Sequence, residues 1–169
     1  KINVIEKILR DNEQSFKAEI ANDNSDGQLV LSGRLKDLEL IIDFLKKEKI
    51  KNIKLPVSAP FHCKLMSKAT EIMKNELQKI NFQHSNNIMI SNVTGDEVSN
   101  LKDLKTLLVD QIEKRVRWRE GIINMIDKGV NQFIEIGPGK VLSGLIKRIN
   151  KNVKISSINT QTDIEGLKL

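Results

Sequence analysis

A chain of 169 residues, 39% apolar and 30% charged with a formal net charge of +6, has the make-up of one globular domain or of a piece of a larger one. A single cysteine excludes an internal disulfide, and with only two histidines beside it there is no set of residues for a Cys/His metal cluster. No apolar run approaches transmembrane length and no signal-peptide pattern opens the chain, so a cytoplasmic location is expected. The lysines are interleaved with Glu and Asp, which speaks for solvated helix faces and against a nucleic-acid patch.

In chain order, Ile2, Ile5, Ile8 and Leu9 recur at helical spacing with no capping residue before them, which points to a natural start further upstream. Residues 16–21 alternate as a strand, residues 22–27 are rich in turn formers, and residues 28–33 read as a second, buried strand. Leu35, Leu38, Ile41, Ile42 and Leu45 share one helical face over 35–47, and residues 50–55 read as a third strand. A helix, two strands, a helix and a strand make residues 1–55 an α+β unit resembling a ferredoxin-like fold without its first strand.

Leu55-Pro56-Val57-Ser58-Ala59-Pro60-Phe61-His62 follows. Two prolines fix their own φ and push the preceding residues towards extended backbone, so this stretch is a stiff, non-helical strap that ends in an imidazole. Beyond it, Leu65 or Met66, Ala69, Ile72 or Met73, Leu77 and Ile80 mark an amphipathic helix, and residues 88–92 a short strand before the turn at Gly95. Helices are expected through Leu101 to Ile112 and from Trp118 to Ile126, the second stopped by Gly129. Residues 132–136 form a strand that runs into Gly137-Pro138-Gly139, a helix carries Val141 to Ile149, and residues 153–158 are a last strand. Alternating strands and helices over 62–169 are the signature of a parallel α/β sheet, which makes residues 56–169 the second subdomain, and two subdomains meeting near His62 leave a crevice there.

His62 is the candidate general base, because imidazole is the side chain whose ordinary pKa lies nearest neutral pH; a structural or solvated histidine is the bland reading. Asn22, Asn24 and Gln28 offer amides to a substrate, or else form turns. Gly137-Pro138-Gly139 either lines a ligand or only makes a tight connection, and it is not a dinucleotide fingerprint. Cys63 reads as a small buried residue rather than the partner of its neighbour, and His84 as solvated. Gln111, in an apolar helix, has its side chain or carbonyl held near the core. No G-x-S-x-G occurs, so the chain presents a base without a nucleophile.

These motifs together resemble the C-terminal part of malonyl-CoA:acyl carrier protein transacylases of bacterial fatty-acid synthesis. The ordered matches are Ala21-Asn22-Asp23-Asn24-Ser25-Asp26-Gly27-Gln28 through Ser32-Gly33, the strap ending in His62 with Leu65-Met66, Ser91-Asn92-Val93, Gln111 before Val116-Arg117-Trp118, and Ile134 to Leu142. The resemblance implies an α/β-hydrolase-like domain with an inserted ferredoxin-like subdomain. It implies malonyl transfer from coenzyme A to the phosphopantetheine thiol of acyl carrier protein through a serine-bound intermediate. His62 matches the family's base, Gln111 the place whose carbonyl orients it, and Asn22, Asn24 and Gln28 the pocket mouth. No cofactor is implied beyond the two thioester substrates. The serine elbow, the oxyanion glutamine and the arginine for the malonyl carboxylate are absent from this sequence and are expected upstream, so the 169 residues alone are expected to be inactive. Arg115 stands where family members usually have proline. The alternative is a catalytically inactive remnant or a module that binds carrier protein without chemistry.

Overall fold

The computed structural model describes residues 1–167 and is mixed α/β, with two small sheets among helices. Its first part is built around the aromatic and aliphatic residues that the periodicity placed inward. Helix α1 (Ile2–Asp11) turns Ile5, Ile8 and Leu9 onto buried Phe16, Ile41 and Leu45. Helix α2 (Leu35–Lys47) supplies Ile41 and Leu45, and the Phe44 ring meets Phe16 edge-on, with centroids 5.7 Å apart. Strands β1 (Ala18–Ser25) and β2 (Gln28–Gly33) pair antiparallel through the two-residue turn Asp26-Gly27, where Gly27 has φ +82°.

The hairpin corrects the sequence reading at residues 22–25, expected as a turn cluster and found as strand. Ala21, Asp23 and Ser25 are buried on alternate positions, and the Asp23 carboxylate is accepted there because Arg119 pairs with it. Two register shifts, between Ile20 and Asn22 and between Asp23 and Ser25, adjust the pleat on the way.

The third expected strand does not form. Residues 50–55 run irregularly after Lys49, which closes α2 with φ +57° while Ile50 donates to the Leu45 carbonyl. Among the described residues no strand lies beside them, and Ile53 is 76% exposed, so neither pairing nor burial holds them extended. The strap that follows is non-helical, as the prolines require.

A 3-10 turn (Lys64–Met66) leads into α3 (Ser67–Lys79), an exposed helix that touches α4 (Leu101–Asp110). Asn100 caps α4 through the Asp103 N–H. The expected strand at 88–92 reduces to one bridge between Ile90 and Glu97 around the Gly95 turn. Helix α5 (Trp118–Asp127) buries Ile122 and ends at Gly129 with φ +94°. Strands β3 (Gln132–Ile136) and β4 (Lys154–Ile158) pair parallel, in register, joined by α6 (Val141–Ile149), which buries Leu145 and Ile146. The short α7 (Gln161–Glu165) closes the described chain behind a Thr160/Asp163 capping box, a T-x-x-D signal the sequence reading passed over. Among the described residues no helix is long and apolar enough to cross a membrane.

Candidate active site

The strap delivers His62 in an unusual backbone conformation, φ +59°, one that histidine tolerates better than most side chains but that still has to be held by its surroundings. Two carbonyls at the end of α4 hold it. The His62 N–H donates to the Ile112 carbonyl at 3.1 Å, and the ring Nδ1 lies 2.6 Å from the Gln111 carbonyl. The C-cap carbonyl of a helix lacks a partner within it, and here the imidazole fills that of Gln111, while the Ile112 carbonyl belongs to the turn just beyond.

The chemistry follows from what a carbonyl can do. It only accepts, so Nδ1 must carry the proton in this contact, and the neutral ring then has Nε2 free as a base. The helix end also carries partial negative charge, complementary to the positive ring formed when Nε2 takes a proton. Gln111 therefore contributes its main chain to this contact, one of the two options its sequence left open.

Cys63 is almost fully buried, and its thiol donates to the Pro60 carbonyl at 3.2 Å. It closes the turn behind the imidazole, in keeping with a packing role. His84 is exposed in a loop.

The loop after Gln111 joins the ring's support to the hairpin. Val116 donates to the Ala21 carbonyl at 2.8 Å and its own carbonyl accepts from Asp23 at 2.9 Å, while Arg117 donates to the Asn92 carbonyl at 2.8 Å. Asn22 and Asn24 sit on the opposite pleat from Asp23, half-buried. Among the described residues neither they nor Gln28 hydrogen-bonds to His62 or Gln111, and the Gln28 side chain instead accepts from Arg148 on α6. The structure thus brings His62 and Gln111 together directly, and ties the hairpin to them through the Val116 bonds and through Glu19 on β1, whose carboxylate accepts from the Lys64 N–H at 3.0 Å.

Sequence reasoning missed one ion pair that fixes this geometry. Asp23 is 1% exposed and accepts from Arg119 Nε at 3.1 Å and Nη2 at 2.8 Å. Those hydrogen bonds raise Arg119 above the usual guanidinium range. Nothing in the spacing of residues 23 and 119 announces the pair, which exists because β1 and α5 pack together. The pair borders a cavity of about 420 Å³ lined also by Lys1, Ser25, Asp26 and Arg148; neither His62 nor Gln111 lines it.

At Gly137-Pro138-Gly139 the structure favours the tight connection over the ligand loop. The Glu135 carboxylate accepts from the N–H groups of Leu142 at 3.0 Å and Ser143 at 2.8 Å, and the Gly139 N–H donates to the Asn159 side chain. Hydrogen bonds from Ser143 hold the Glu135 carboxyl below its ordinary value. The first turn of α6 thus already carries an anion from its own chain. Gly137 and Gly139, at φ +136° and +93°, make the reversal that puts it there.

An imidazole held at Nδ1 and free at Nε2, on a mixed α/β scaffold, is the arrangement of acyltransferases and hydrolases that act through a separate nucleophile. The relatives narrow that class. The chain is 40% identical over 154 residues to the malonyl CoA-acyl carrier protein transacylase of Bacillus subtilis (strain 168), covering 90% of this chain and 49% of that protein. It is 36% identical over 149 residues to the enzyme of the same name from Staphylococcus aureus (strain COL), covering 88% and 48%. The crystal structure of malonyl CoA-acyl carrier protein transacylase from Clostridium perfringens superposes with a TM-score of 0.92 at 40% identity, over 98% of this chain and 52% of that one. A malonyl-transacylase solved in complex with its type II acyl-carrier protein superposes at 0.87 and 31% identity, over 94% and 52%. No protein-family model matches. The chain spans about half the length of the curated relatives it matches, and its length and motif order fit the C-terminal portion of a malonyl CoA-acyl carrier protein transacylase.

Proposed function

We propose that this chain supplies the histidine base for malonyl transfer from coenzyme A to the phosphopantetheine thiol of acyl carrier protein. A serine on polypeptide outside this sequence is the nucleophile. The observation that carries the reading is the 2.6 Å contact between His62 Nδ1 and the Gln111 carbonyl, which fixes the tautomer a base requires. The ordered motifs and the named relatives support the substrate pair.

In this scheme Nε2 of His62 takes the serine proton as the hydroxyl oxygen attacks the malonyl thioester carbonyl. The carbon–sulfur bond breaks, and the Nε2 proton passes to the departing coenzyme A thiolate. The neutral ring then takes the proton of the phosphopantetheine thiol, whose sulfur attacks the serine ester, and returns it to the serine oxygen. The Gln111 carbonyl holds the ring through each transfer and offsets its transient positive charge. Asn22, Asn24 and Gln28 line the mouth of the pocket. No cofactor takes part.

The same reading divides the chain at residues 55 and 56, into a ferredoxin-like subdomain and part of an α/β-hydrolase-like domain, and places it in the cytoplasm. The basic balance of +6 suits an acidic carrier protein by steering its approach.

The test is reconstitution with a segment bearing the serine elbow. Transfer of malonyl groups to carrier protein is expected only when both parts are present, and His62→Ala is expected to lower it by about 10²- to 10⁴-fold, the usual range for a lost general base. Undiminished transfer by His62→Ala refutes the role.

A further inference from the structure

The stretch Gln111-Ile112-Glu113-Lys114-Arg115-Val116-Arg117 has an anchor at each end. Its first two carbonyls hold His62, and Val116 near its end is bonded to β1 on both sides. Between the anchors the two neighbouring cations behave differently. Lys114 reaches back to Asp110 at 2.7 Å in an exposed pair within one helix end, which ties the loop to nothing else. Arg115 turns inward, its side chain 19% exposed. Its Nη1 is 3.2 Å from Glu6 on α1 and its Nη2 3.4 Å from Glu120 on α5. Its Nε is buried without a hydrogen-bond partner among the described residues. Glu120 also accepts from Arg117 Nη1 at 2.7 Å, so one carboxylate on α5 gathers both arginines of the loop.

A long guanidinium side chain immobilised between carboxylates of two elements far apart in sequence is a brace. Three residues separate it from Gln111, whose carbonyl meets the imidazole, and the backbone between the anchors contains no regular helix or strand to transmit or absorb a displacement independently.

We propose that Arg115 is a positioning residue: braced by Glu6 and Glu120, it sets the 111–117 loop so that the Gln111 carbonyl stays in contact with His62 Nδ1. Helix α1 is thereby coupled to the imidazole. The importance of the coupling for turnover rests on the reading of His62 as the base, but the geometric claim does not, and the two are tested apart.

The test reads the ring directly. In the isotopically labelled 169-residue chain, the His62 Nδ1–H resonance and its exchange with water report the contact with Gln111. Arg115→Ala and Glu6→Gln are each expected to speed that exchange by about three- to ten-fold, the range that one or two partly exposed ion pairs contribute. Arg115→Lys is expected to recover part of the loss. Backbone amides of Phe133 and Ile134 in β3, remote from the brace, are expected to stay unchanged. In the Arg115→Ala background Glu6→Gln is expected to have no further effect, since its influence runs through the missing guanidinium. Unchanged Nδ1–H exchange in Arg115→Ala overturns the proposal. So does equal acceleration in β3, which marks a general loss of stability, or an undiminished Glu6→Gln effect without Arg115. Should Arg115→Ala fail to fold, Glu6→Gln and Arg115→Lys carry the same comparison. Failure of the brace leaves the His62→Ala reconstitution result standing, and the reverse holds equally.

Discussion

The hairpin region and the parallel pair draw on the same aliphatic residues and end in opposite conditions. Around β1, β2, α1 and α2 most apolar side chains turn inward, Val4, Leu35 and Leu40 being the exposed ones, and Phe16, Ile41 and Leu45 form a closed cluster. Around β3 and β4 many turn outward: Ile136 is 80% exposed and Val141 71%. A parallel pair is ordinarily covered on both faces and extended by further strands, because its crossover connections place helices there. The first region is a finished core. The second has the surface of a sheet that continues, in keeping with relatives about twice as long. The candidate base sits between them, supported from the end of α4 and tied to the hairpin through Val116.

Perturbations should separate the two regions by size of effect. The largest is expected in the closed core, where Ile41→Ala removes a side chain 2% exposed and should cost about 2–4 kcal/mol by chemical denaturation. A midpoint shift near zero would mean the cluster does not hold the region together. Next, Arg119→Ala strips the buried Asp23 carboxylate of its partner. A loss of about 2–3 kcal/mol is expected, against a few tenths for Lys114→Ala in an exposed pair. Equal losses in both variants would demote the Asp23 pair to ordinary surface chemistry.

A smaller effect, lost in acid, belongs to the Gly95 turn. The Asp96 carboxyl is held down from 3.8 to about 2, first by the Asn124 amide, then by the Glu97 N–H and Lys128. A lowered carboxyl stabilises the fold fully above its unfolded value, and that contribution disappears as pH falls from 3.8 towards about 2. The difference in thermal midpoint between the native chain and Asp96→Asn should therefore shrink over that interval. A constant difference would place the cause elsewhere. The smallest effect is expected at Ile136→Ala, below about 0.5 kcal/mol, because an exposed side chain has little transfer energy to lose.

Much of this was legible beforehand. Helix α2, strand β3 and α6 follow from apolar spacing and from Gly137-Pro138-Gly139, and the strap from two prolines fixing φ. The contact between residues 62 and 111 was implied only by the resemblance to the transacylase family, since no local pattern links positions so far apart. What failed had tertiary causes. Residues 22–25 look like a turn until Arg119 pairs Asp23 inside the pleat. Residues 50–55 look like a strand, yet pairing needs a neighbour, and none of the described strands pairs with them. The positive φ of His62 is likewise invisible, because it is imposed by the carbonyls of Gln111 and Ile112 rather than by its own propensity.

The most direct measurement is the acylation burst of the reconstituted enzyme, followed by rapid quench with malonyl-CoA in the absence of carrier protein. A base at His62 predicts a fast burst of serine-bound malonyl in the native chain and a rate lower by about 10² or more in His62→Ala. A burst of unchanged rate and amplitude in His62→Ala would contradict the assignment.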